Sequence, residues 1–197
     1  MRIIGIGGTN GAGKDTLAQV LVERYGFLFV SVSDVLRDEA RRRGLPVERD
    51  VLRTISAEWR REHGLGVLVD RSLDLLTESH AGIVIASIRN PGEADRIHEL
   101  GGRLIWVDAP AKVRYDRVIA RARTEEDAKT YGEFLAEEAA ERAHSGDGAT
   151  LSLEAVKACA DVVIENPGTD IEAFRDAADA LLSAQIPGLT RTRSDRG

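Results

Sequence analysis

Ile3-Ile4-Gly5-Ile6-Gly7-Gly8-Thr9-Asn10-Gly11-Ala12-Gly13-Lys14-Asp15-Thr16 is the stretch on which the fold turns. A β-branched run ends in glycines, and Leu17, Val20 and Leu21 then follow at helical spacing, so the stretch predicts strand, loop, helix. From Gly8 to Lys14 the loop fits G-x-x-x-x-G-K in the one context that gives this pattern meaning, directly after a strand and opening a helix. Glycines let the backbone curl until successive N–H groups point at phosphate oxygens. The helix N-terminus adds its dipole and Lys14 a point charge near the β- and γ-phosphates. Gly8, Asn10, Gly11, Ala12, Gly13, Lys14, Asp15 and Thr16 are therefore the expected cradle for a nucleotide, with ATP and Mg²⁺ as its occupants. Asp15 stands where this pattern usually has Ser or Thr as a magnesium ligand. Either its carboxylate takes part in metal binding, or Thr16 bonds a phosphate while the ion relies on water and nucleotide.

Outward from the loop, Phe27-Leu28-Phe29-Val30-Ser31, Gly82-Ile83-Val84-Ile85-Ala86, Leu104-Ile105-Trp106-Val107 and Ala160-Asp161-Val162-Val163-Ile164 read as four more strands. The run at 82–86 is apolar throughout, which suits a buried central strand. Asn90-Pro91-Gly92-Glu93 after it has a cap residue, Pro at the first helical position and Glu three residues past the cap, the signature of a helix start. Further helices are expected from Pro110, from Thr130 and over about Asp170 to Ala184. Only helical patterns occupy about 34–79, broken by Pro46 and Gly64-Leu65-Gly66. Apolar strands alternating with crossover helices imply a five-stranded parallel sheet covered on both faces, an α/β/α sandwich. The expected organisation is a single domain over 1–186, with a helical insert at about 34–79 and a short lid at about 117–130, then a flexible tail at 187–197.

Composition narrows the function. With 197 residues, 43% apolar and 30% charged, the chain is long enough for one sizeable core. No apolar run is long enough to span a bilayer and the N-terminus lacks a signal-peptide layout, so a soluble, cytoplasmic protein is expected. One cysteine, Cys159, forms no internal disulfide. The net charge of −6 argues against nucleic-acid and membrane partners. Small molecules handled by a monomer or homodimer are the expectation. Of the 27 cations only Lys14, Lys112, Lys129 and Lys157 are lysines. The arginine skew fits either coding bias or planar recognition of anions.

Ser31-Val32-Ser33-Asp34-Val35-Leu36-Arg37 resembles the acceptor segment of adenylate kinases and other nucleoside monophosphate kinases. The resemblance implies that Ser33, Asp34 and Arg37 contact the acceptor and that Arg37 holds its phosphate. Arg89, in Ser87-Ile88-Arg89-Asn90-Pro91, similarly looks like the second acceptor-phosphate arginine. From Met1 to about Leu182 the chain is similar to small P-loop kinase-like proteins common in archaea, relatives of adenylate kinase that also resemble dephospho-coenzyme A kinase. That resemblance implies a P-loop NTPase fold, nucleotide binding and a small phosphorylated acceptor, with a nucleoside monophosphate first and dephospho-coenzyme A second. A nucleotide-hydrolysing switch is the reading from another class. Ala86-Ser87 departs from the Asp-Gly of many of these relatives and leaves the third strand without its metal-orienting acid.

Asp34 reads either as a helix cap or, for a hydroxyl acceptor, as a general base. Arg117, Arg121 and Arg123 are similar to the lid arginines of nucleotide kinases, where they close over the donor phosphates; a solvated basic face is the alternative. On this reading Lys14, Asp34, Arg89 and Arg121 carry catalysis. Asn166, in Glu165-Asn166-Pro167-Gly168-Thr169, matches the loop that packs on the donor adenine, or else is a plain turn. The lid has no Cys or His pairs for zinc, and the four histidines adjoin no nucleophile.

Overall fold

A computed structural model describes residues 2–121, 130–142 and 151–192. Five strands, β1 (Arg2–Gly8), β2 (Phe27–Ser31), β3 (Gly82–Ile88), β4 (Arg103–Asp108) and β5 (Val162–Glu165), form one sheet in the order β2-β3-β1-β4-β5. All four pairings are parallel. Alternation along the strands sorts the core into two layers. Ile3, Ile83, Ile85 and Leu104 face one side, while Ile4, Ile6, Val84, Ile105 and Val107 face the other. Each such residue, once fully buried, stabilises the fold by about 1.5–3 kcal/mol relative to exposure.

The second face is covered by α1 (Lys14–Tyr25) and α9 (Ile171–Gln185), through Leu17, Leu21, Phe174 and Leu182. The first is covered by α2 (Val32–Arg42), α3 (Arg49–His63), α4 (Val67–Leu73), α5 (Pro91–Glu99) and α8 (Leu153–Ala158). Helices α2, α3 and α4 are the expected insert. Helix α8 has only six residues, too few for its periodicity to show in the sequence. Helices α6 (Ala111–Arg121) and α7 (Tyr131–Arg142) flank residues 122–129, part of the segment expected as a lid and including Arg123, which lie outside the described set.

The sheet's C-terminal edge is where ligands of such folds bind, and local rules shape it here. After Ile88 the expected capping box forms: the buried Asn90 side chain accepts from Gly92 N at 2.8 Å, and Glu93 accepts from Asn90 N at 3.1 Å. The β1–β3 register slips at Ser87, the only non-glycine residue described with positive φ, at 70°.

Two expectations are corrected. Asp34 does not cap α2; Ser31 holds that position, and Asp34 sits in the first turn. The tail is held as far as residue 192. Thr192 N donates to Arg24 O at 2.8 Å, Leu189 packs on the core, and Arg191 pairs with the buried Asp179. One short apolar contact and one ion pair anchor a segment whose composition alone predicts fraying.

Candidate active site

The loop after β1 is fixed by close packing. Gly11 has φ +80° and a Cβ there would lie 2.6 Å from Arg114 O; Gly13 has φ +110° and its Cβ would meet Asn166 Nδ2 at 2.5 Å. Both the backbone conformation and the space require glycine. Lys14 is 9% exposed and donates to Gly8 O at 2.9 Å and Thr9 O at 2.8 Å, folded back along its own loop.

A cavity of about 270 Å³ lies on one side of this loop, lined by Gly11, Gly13, Thr16, Arg117, Arg121 and Asn166, with Phe174 as its apolar wall. Asn166 is more than a turn residue: it donates to Ala12 O at 2.8 Å and accepts from Arg117 at 3.0 Å. Arg117 also donates to Gly11 O at 3.0 Å and to Gly168 O, tying the loop to the β5–α9 connection. Burial, with Arg121 nearby, lowers the pKa of Arg117 from its ordinary value. Such a cation in a pocket wall gains from an anion brought beside it.

On the other side opens a cleft of about 310 Å³. Asn10 and Asp15 reach it from the loop and α1, Ser33 and Arg37 from α2, and Ser87 and Arg89 from the end of β3. Arg121 lines both cavities, so the two meet at its side chain. The structure thus gathers Asn10, Asp15, Ser33, Arg37, Arg89 and Arg121 around one space. Thr16 lines the other, so Asp15 and Thr16, the residues expected at the metal and the phosphates, border different spaces. Among the described residues no group of three or more His, Cys, Asp or Glu is placed to hold a metal.

Asp34 is again a correction. It is absent from the cleft's lining, lines a separate depression beside Phe29 and Trp59, and pairs with Arg37 at 2.6 Å. Arg114, near the lid arginines in sequence, is buried under α7, where it donates to Ala109 O at 2.7 Å and to Glu138 at 2.9 Å.

Helix α3 supplies what the sequence reading missed. Arg49, Arg53, Ser56 and Arg60 all line the cleft. Their spacing of four, three and four residues puts them on one helical face, a signal available in the sequence but hidden among many exposed arginines. Arg60 is anchored by Glu93 at 2.6 Å, with side chains 2% and 0% exposed. Since Glu93 also accepts from Arg89 N at 2.9 Å, this pair ties α3 to the turn that presents Arg89.

The sequence profile described as AAA domain matches residues 4–144, more than half of the chain. This chain belongs to that family. The chain is also 31% identical over 140 residues to a UPF0200 protein of Pyrococcus abyssi, covering 68% of this chain and 74% of that one. A UPF0200 protein of Pyrobaculum aerophilum is 34% identical over 139 residues, with the same coverage of each chain. Among solved structures, TT1252 from Thermus thermophilus superposes with a TM-score of 0.55 at 25% identity, covering 94% of this chain and 98% of that one. The chain has the expected α/β/α fold, and its β1–α1 loop carries the G-x-x-x-x-G-K pattern. No described helix is long and apolar enough to cross a membrane.

Proposed function

We propose that this protein transfers the γ-phosphoryl group of ATP to the phosphate of a small acceptor, a nucleoside monophosphate being the simplest of that class. The observation that carries this reading is Arg121, whose side chain lines both the loop-side cavity and the arginine-rich cleft. A donor on the loop and an acceptor in the cleft would meet there. Arg37 and Arg89 reach the cleft from separate elements and suit an acceptor phosphate, which guanidinium forks grip by parallel hydrogen bonds.

In the transfer, an acceptor phosphate oxygen bonds to the γ-phosphorus as the bond from that phosphorus to the β,γ-bridging oxygen breaks, and ADP leaves with that oxygen. The acceptor oxygen is already ionised at neutral pH, so no general base is needed. Asp34 is paired with the cleft-lining Arg37 at 2.6 Å, in keeping with a reading that asks no base of it. Lys14 and Arg121 would stabilise charge on the transferred group, and Arg117 and Asn166 would hold the donor. Asp15 and the Ser87 hydroxyl, hard oxygen donors in the same cleft, fit Mg²⁺ better than Thr16 does. That ion, when bound with the nucleotide, supplies charge neutralisation.

The test is ADP release from ATP, measured with and without a panel of nucleoside monophosphates and dephospho-coenzyme A. One acceptor should stimulate release, and Arg37→Ala should lower kcat/KM for it by about tenfold or more. Acceptor-independent turnover that Arg37→Ala leaves unchanged would make the protein a hydrolase instead.

A further inference from the structure

The acceptor cleft holds more cationic groups than one phosphate can use. Six arginines line it, and Asp15 is the one carboxylate among the described residues of its lining. Arg60 is buried and committed through Nη2 to the buried Glu93. Five further guanidiniums line the cleft, from α2, α3, the β3–α5 turn and α6. A phosphate monoester presents three terminal acceptor oxygens, and two or three bidentate forks saturate them. Arg37 and Arg89 supply those forks and Arg121 serves the transferred group, which leaves Arg49 and Arg53, one helical turn apart on the same face of α3.

We propose that the acceptor carries a second phosphate group and that Arg49 and Arg53 recognise it. Each of these arginines is held by an acid outside the cleft lining, Arg49 by Glu137 at 3.0 Å and Arg53 by Asp50 at 3.3 Å. Both pairs are substantially exposed, with side chains 39% and 45% accessible in the first and 44% and 93% in the second. Exposed pairs of this kind are worth little and yield readily to a phosphate dianion. The remaining lining points the same way. Val32, Leu36, Leu52, Val118 and Leu151 form its apolar part, and none of the described lining residues is aromatic. The cleft grips its ligand by charge and offers no ring for a base to stack on. Within the proposed class of phosphorylated acceptors, a bisphosphorylated small molecule fits this cleft better than a plain nucleoside monophosphate does.

This inference rests on the phosphotransfer reading for the acceptor's place in the reaction, but its binding claim is tested separately. Binding of matched pairs, AMP against adenosine bisphosphate and fructose monophosphate against fructose bisphosphate, is measured by calorimetry on the intact protein and on Arg53→Gln and Arg49→Gln/Arg53→Gln. ADP release is followed in parallel. The bisphosphate of at least one pair should bind about tenfold tighter than its monophosphate, and the double variant should erase that ratio. Arg53→Gln changes a single side chain that is 44% exposed, so it keeps the test readable should the double variant lose its fold. Equal affinity for the two members of both pairs overturns the inference, as does an equal loss for both members in the variants. Arginine-dependent binding of a bisphosphate that never stimulates ADP release leaves the second-phosphate site standing and overturns phosphotransfer.

Discussion

At Gly13 the chain has φ +110° and no room for a methyl group beside Asn166. Gly13→Ala should cost about 1–3 kcal/mol in backbone strain, and it should push Asn166 off Ala12 O and open the loop. A lower melting temperature together with at least about tenfold weaker ATP binding by calorimetry is the expected result; unchanged nucleotide affinity would mean that the loop tolerates a side chain there. Gly13 was legible in the sequence because a fixed loop conformation demands a fixed residue type. Asp34 was not. Its chemistry fits a base, but a side chain's direction on a helix depends on how that helix is rotated against its neighbours, and α2 turns Ser33 and Arg37 into the cleft and Asp34 into the adjoining depression.

The junction of α3 with α5 shows how elements are locked to one another. Glu93 closes the capping box of α5, accepts from Arg89 N, and takes the buried Arg60 guanidinium of α3. Glu93→Gln keeps the shape and removes the charge, leaving Arg60 buried without its counter-ion, a change that costs about 3–5 kcal/mol. Chemical denaturation should register that loss, and a variant as stable as the parent would show that water reaches Arg60. The cap was readable from Asn90-Pro91-Gly92-Glu93, since all its partners lie within one helical turn. The partner from α3, thirty-three residues away, was not, because nothing local singles out Arg60 from its exposed neighbours Arg61 and Arg53.

Across the molecule, several carboxylates are held ionised by arginines. Hydrogen bonds from Arg42 and Arg43 outweigh burial and pull the Glu39 carboxyl from 4.5 down to about 2. Burial alone would raise the carboxyl of Asp179, yet hydrogen bonds from Tyr25, Arg24 and Arg191 pull it below its ordinary value. For carboxyls lowered by folding, the stabilisation is complete above the unfolded-state pKa and is lost as pH falls through the folded one. Thermal stability should therefore hold near neutrality and fall as the pH drops from about 5 toward 2, with a shallower fall in Glu39→Gln. An identical acid profile in that variant would remove Glu39 from the account.

The sequence by itself determined the strands, the order of the elements, the phosphate loop and the α5 cap, because each is set by residues within a few positions of one another. Tertiary structure alone decided which arginines share a cleft, that Arg121 stands between two cavities, that Asp15 and Thr16 part company, and that the chain to residue 192 is docked. Those outcomes depend on the angle and rotation at which helices pack on the sheet, and packing is the sum of many weak contacts between residues far apart in the chain.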